Sequence, residues 1–153
     1  MLRQIIVAFI LVSINVCIHA TGMVQLLEWL IRRLPRFEKK FGASDGIWLL
    51  IRIFAVFVSL HLAQICAWAA FYTLWGALED FETALYFSIT SYTTIGYGDV
   101  VLSSRWRLLG GIEGITGVLM FGWSAAAIFA VSSRLFAMQV ERAKTLQSQK
   151  AEP

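Results

Sequence analysis

Three long apolar stretches, separated by polar and basic intervals, set the pattern of this chain: residues 2–27, 47–72 and 108–135. Each exceeds the roughly 20 residues that a helix needs to cross a hydrocarbon layer about 30 Å thick. A backbone in lipid must satisfy its own polar groups, so each stretch predicts a spanning helix. A fourth apolar segment, 81–92, is too short to cross. Helices of that length are tolerated at membrane depth where protein or water surrounds them, which predicts a re-entrant helix over 81–93. Asp80 stands where a helix cap belongs, and Glu79 and Glu82 put negative charge near the positive end of its dipole.

Composition agrees with that pattern. With 153 residues and 58% hydrophobic content, the chain is too apolar for a soluble domain and too short for more than one membrane module. The fold class expected is an all-α membrane protein. Its parts are one N-terminal transmembrane helix (1–34), a basic loop (35–46), a helical module (47–135) and a short tail (136–153). Arg32, Arg33, Arg36, Lys39 and Lys40 outnumber Glu38 and Asp45 between the first two spans, so by the positive-inside rule this loop is cytoplasmic. Arg134, Arg142, Lys144 and Lys150 place the tail on the same side. The segment between the last two spans must then open outward, where Glu79, Asp80, Glu82 and Asp99 would concentrate cations. Residues 1–20 have the look of a secretory signal ending Ile18-His19-Ala20, but cleavage there would leave the basic loop outside, so the first helix is expected to be retained. The excess of basic residues thus reports orientation in a cell membrane, inner or plasma, and not nucleic-acid binding.

The re-entrant helix runs directly into Thr93-Thr94-Ile95-Gly96-Tyr97-Gly98-Asp99. Stripping water from a small cation is costly unless other oxygens replace its hydration shell, and backbone carbonyls can supply them. Successive carbonyls of an ordinary strand point to opposite sides. Turning them to one side needs alternation between right- and left-handed backbone, and glycine permits the latter. Gly96 and Gly98 alternate with Ile95 and Tyr97, so this stretch can carry carbonyls stacked about 3 Å apart, with the Thr94 hydroxyl at the inner end.

Two spans flanking a half-crossing helix and a Thr-x-Gly-Tyr-Gly-Asp string give residues 47–135 a pattern that resembles the potassium-channel pore module of small prokaryotic channels. The resemblance implies an outer helix (47–72), a pore helix (81–93), a selectivity filter (94–99) and an inner helix (108–135). It also implies a homotetramer, since each chain carries one filter segment and four close the rings. By the same resemblance the carbonyls of Thr94, Ile95, Gly96 and Tyr97 ligand K⁺, Gly98 completes the filter, and Thr93 and Asp99 support it from behind. Tyr97 would turn outward to Tyr86, Ser88 or Thr90. Ile95 stands where many relatives have valine, a change between two β-branched apolar residues. Val100-Val101 replaces the proline that many relatives carry soon after the aspartate, which leaves the outer turn open.

Gly110, Gly111, Gly114, Gly117 and Gly122 punctuate the third span. Close packing of helices accounts for small residues at such spacing. The resemblance adds a gating hinge near mid-helix, at Gly117 or, failing that, Gly122. Glu113 is either a packed acid or part of the filter support. Asn15, His61 and Gln64 lie deep in spans, where unsatisfied polar groups are costly. The antiparallel run of the first two helices sets Asn15 within about one turn of His61, so these two are expected to hydrogen-bond and dock the first helix. Cys17 and Cys66 have no CxxC spacing. No phosphate loop or nucleophile-and-base pattern occurs, so neither an enzyme, a cofactor other than permeant K⁺, nor a small-molecule substrate is expected. A voltage sensor would need further spans. The function expected is passive, potassium-selective conduction; a weakly selective cation channel and a non-conducting accessory subunit are the alternatives.

Overall fold

In the computed structural model the backbone is described for residues 2–40 and 43–151, and the side chains for these except 34–40, 43, 145, 146 and 149–151. Four helices follow in order: α1 (Leu2–Lys40), α2 (Ala43–Leu74), α3 (Phe81–Tyr92) and α4 (Arg107–Ala151). Three of them contain stretches long and apolar enough to cross a membrane, Leu2–Arg33, Ser44–Leu74 and Arg107–Lys144. The chain is an integral membrane protein in which the half-length α3 connects the long helices α2 and α4, with α1 in addition.

Helix ends depart from the apolar pattern. Residues 35–40, expected in a loop, continue α1 through Pro35, and α2 starts at Ala43, inside the same expected loop; residues 41 and 42 lie outside the described residues. Residues 136–151, expected as a tail, extend α4. The physical reason is that hydropathy marks where lipid ends, whereas strong helix formers such as Gln, Glu, Lys and Ala carry a helix on into water.

Local chemistry fixes the turn that delivers α3. The N–H of Ala77 donates to the Tyr72 carbonyl at 2.8 Å and that of Gly76 to the Thr73 carbonyl at 3.1 Å, with Gly76 left-handed at φ 63°. This paired closure ends α2 and needs a residue without a β-carbon. Asp80 then caps α3: Oδ1 accepts from the Thr83 N–H and Oδ2 from the Thr83 hydroxyl, each at 2.8 Å. These bonds hold the Asp80 carboxyl below the usual carboxylate range.

Two cores hold the bundle. On the side of the α3 connections, Trp68, Tyr72, Ala84, Phe87, Tyr92, Trp106 and Leu109 pack with Ala8 and Leu11 of α1. Toward the other end, Leu49, Ile53, Phe57 and Leu135 are joined by Met23, Leu26 and Trp29. The first helix therefore contributes to both cores. At its start the Gln4 amide donates to the Arg105 carbonyl, just before α4.

Candidate functional site

The last turn of α3 leads without a break into the glycine-rich loop. Thr93 caps it, its N–H donating to the Ile89 carbonyl at 3.1 Å and its hydroxyl to the same oxygen at 2.6 Å. The N–H groups of Thr94 and Gly96 turn back to the Ser91 and Thr90 carbonyls, both at 3.0 Å. Beyond the cap the backbone alternates in hand. Thr94 (φ 61°), Gly96 (φ 54°) and Gly98 (φ 80°) are left-handed, while Ile95 and Tyr97 between them are not. Gly96 and Gly98 adopt such values freely. Thr94 does not: a β-branched residue there is strained by about 1–3 kcal/mol. Alternation of this kind is the condition for successive carbonyls to face one side.

The loop is tied to α3 by its aspartate. The Tyr86 hydroxyl donates to Asp99 Oδ2 at 2.7 Å and holds that carboxyl below its ordinary range. Tyr86 is thus the partner of Asp99, not of Tyr97. Thr90 donates to the Phe87 carbonyl of its own helix, and the buried Ser88 hydroxyl faces the Glu113 carboxyl, so among the described residues none of the three expected side chains reaches Tyr97. Tyr97 is 71% and Ile95 54% exposed in the single chain. Beside them a cleft of about 500 Å³ runs between Thr94, Gly96 and the α4 residues Gly111, Gly114, Ile115 and Val118.

Behind α3 lies the inner helix. Gly110, Gly114 and Gly117 allow it to come close: an added β-carbon would meet Phe87 Cζ at 3.1 Å, the Ser91 carbonyl at 3.1 Å and the Tyr92 carbonyl at 1.9 Å. At Gly111 and Gly122 it would meet nothing within 4 Å. Glu113 is fully buried and accepts from the Tyr72 hydroxyl at 2.9 Å. That bond joins the inner to the outer helix; Glu113 is not hydrogen-bonded to a residue of the loop.

A buried polar cluster that joins His19, Tyr92 and Ser124 to the expected Asn15, His61 and Gln64 fastens the end of α3 to all three long helices. His61 Nδ1 is 3.1 Å from the Tyr92 hydroxyl, and His61 Nε2 is 3.0 Å from Ser124 Oγ. The same Ser124 oxygen lies 3.3 Å from His19 Nε2. Tyr92 also donates to the Gln64 side-chain oxygen, and the Gln64 amide donates to the Asn15 carbonyl at 2.9 Å. Asn15 and His61 do not pair as expected. Asn15 meets Gln64, one turn further along α2, and His61 faces His19 with ring centroids 5.5 Å apart. The depth agrees to within the expected turn, but the register pairs His61 with His19, one turn further along α1.

Two spanning helices around a half-crossing one, whose C-terminal end opens into a loop of alternating hand, define the subunit of an ion channel. A known family described as "Ion channel" matches residues 58–134, just over half of the chain, and the chain belongs to that family. Neither the curated proteins nor the solved structures contain a match to it.

Proposed function

We propose that the protein is a potassium-selective channel in which four copies surround one conduction axis. The observation that carries this reading is the alternation of hand at Thr94, Gly96 and Gly98 within Thr-Thr-Ile-Gly-Tyr-Gly-Asp. Carbonyls of Thr94, Ile95, Gly96 and Tyr97 from each copy replace the water around a dehydrating K⁺, offsetting a cost on the order of tens of kcal/mol. One chain supplies a single oxygen to each ring, so the pathway exists only in the assembly. The exposed Ile95 and Tyr97 side chains support that reading, since neighbouring copies would cover them. Thr93 ends the pore helix, and Asp99, held by Tyr86, anchors the outer end of the filter. Glu113 supports it at one remove, through the packing of Tyr72 against Phe87 at 5.4 Å.

Conduction is passive, driven by the electrochemical gradient across the inner or plasma membrane. The basic residues near 32–40 and beyond 134 face the cytoplasm and the filter faces outward. Of the two hinge candidates Gly122 suits bending, because it has open space around it, whereas Gly117 is wedged against Tyr92.

Reconstitution in liposomes with opposed K⁺ and Na⁺ gradients tests the proposal. A reversal potential close to that of K⁺ is expected. Reversal near zero would make the protein a weakly selective cation channel, and absence of current under all conditions would leave an accessory subunit.

A further inference from the structure

The first helix builds, with α2, a groove that the ion pathway does not use. The two helices touch where Gly22 meets Leu60, so closely that a β-carbon on Gly22 would lie 2.4 Å from Leu60 Cδ2. From that contact a groove of about 550 Å³ opens along the pair, lined by Gly22, Gln25, Trp29, Arg52, Ala55 and Ser59 among others. It is continuous through Trp29 and Arg52 with a second space of about 320 Å³ that reaches Asp45 and Trp48. Ala55 and Ser59 are exposed along its length.

Depth and charge indicate what fills it. Arg52 lies twenty-two positions before Leu74, the end of α2, or about 33 Å along the helix. That is close to one hydrocarbon thickness, so Arg52 sits at the membrane boundary opposite the filter loop, level with an aromatic belt of Trp29 and Trp48. Among the described residues Arg52 has no ion pair or hydrogen bond, whereas Asp45 is already engaged within the chain. A second cation joins it, with the Arg33 guanidinium 5.7 Å above the centre of the Trp29 ring. An unpaired guanidinium at the head of an apolar groove is complementary to a phosphodiester with a hydrocarbon tail.

We propose that this groove binds an anionic phospholipid, its phosphate held by Arg52 with Arg33 at the rim and one acyl chain lying past Ala55 and Ser59 toward Gly22. The site lies between the first helix and the start of α2: Gly22, Gln25 and Trp29 of α1 and Arg52 and Ala55 of α2 all precede residue 58, where the family match begins. It does not depend on which ion the pore conducts.

Native mass spectrometry of the purified full chain, exchanged into detergent with equal phosphatidylglycerol and phosphatidylcholine of identical acyl chains, tests this. Wild-type protein is expected to retain phosphatidylglycerol preferentially, at up to one per chain. Arg52→Gln should reduce that preference about tenfold, the loss of a charge-assisted contact, while Arg52→Lys keeps most of it. Ala55→Phe, which fills the wall and leaves the cations in place, should weaken retention of both lipids. Equal retention of the two lipids by wild type, an unchanged preference in Arg52→Gln, or unchanged retention in Ala55→Phe would each overturn the proposal. The two variants act on different ends of the groove, so failure of one to assemble leaves the other decisive.

Discussion

Gly117 lies flush against the main-chain oxygen of Tyr92, with room for hydrogen and nothing larger: an added β-carbon would stand 1.9 Å from that oxygen and 2.9 Å from its carbon. The obstacle is backbone, which has no rotamer to move aside. Gly117→Ala is therefore expected to destabilise the purified protein by about 1–3 kcal/mol, outweighing the roughly 1 kcal/mol that alanine gains in helix propensity. Gly122→Ala, in open space, should melt no lower than wild type while changing open probability in single-channel records. Equal melting temperatures for the two variants would contradict this assignment of roles.

Gly96→Ala and Gly98→Ala test the loop in a different way. At neither position would the methyl group meet an atom of its own chain within 4 Å, so within one subunit any effect comes from backbone conformation. Holding alanine at the positive φ of these sites costs about 1–2 kcal/mol per residue. The expected outcome is intact folding and assembly, by size-exclusion chromatography, with K⁺ selectivity lost in the liposome assay. Preserved selectivity would mean that the left-handed conformations are not needed for permeation.

The Tyr86–Asp99 bond predicts a response to acid on the filter side. The hydroxyl lowers the Asp99 carboxyl below its unfolded value, so the bond's contribution is complete above that value and is lost as pH falls through the lowered one. In Tyr86→Phe the carboxyl titrates higher. Current through the variant should therefore fail at a higher external pH than current through wild type, with the same ion selectivity at neutral pH. Superimposable acid titrations would show that Asp99 anchors the loop without Tyr86.

Ser124 carries two imidazoles on one oxygen. Ser124→Ala leaves His19 Nε2 and His61 Nε2 buried without that partner, an expected loss of about 1–3 kcal/mol in thermal or denaturant unfolding. Adding His19→Phe should cost less than the two single losses together, because the residues share one network. Strict additivity would indicate that the cluster does not act as a unit.

Much of this arrangement is written locally in the chain. The spans follow from apolar length, the half-crossing helix from its shortness and the Asp80 cap, and the alternating loop from glycines two apart. The left-handed Thr94 is less legible, since its own side chain disfavours that conformation and only the cap of α3 around it imposes it. The polar cluster needs the packing of four helices. His19 reads as one polar residue near the end of an apolar run, and its meeting with His61 depends on a register that an error of one turn misplaces. Gly117 shows the same limit: spacing marks it as small for a reason, but only the position of the Tyr92 oxygen supplies the reason.

The glycine seam between α3 and α4 has a mechanical consequence. Surfaces that meet through interdigitated side chains behave like gears, and turning one helix against the other means unpacking every tooth. Gly114 and Gly117 instead set bare backbone against the Ser91 and Tyr92 carbonyls, a keyed contact with no side chain to give, so a displacement of the inner helix is passed on to the end of α3. Ser124, about two turns beyond, ties the same two elements a second time through His61.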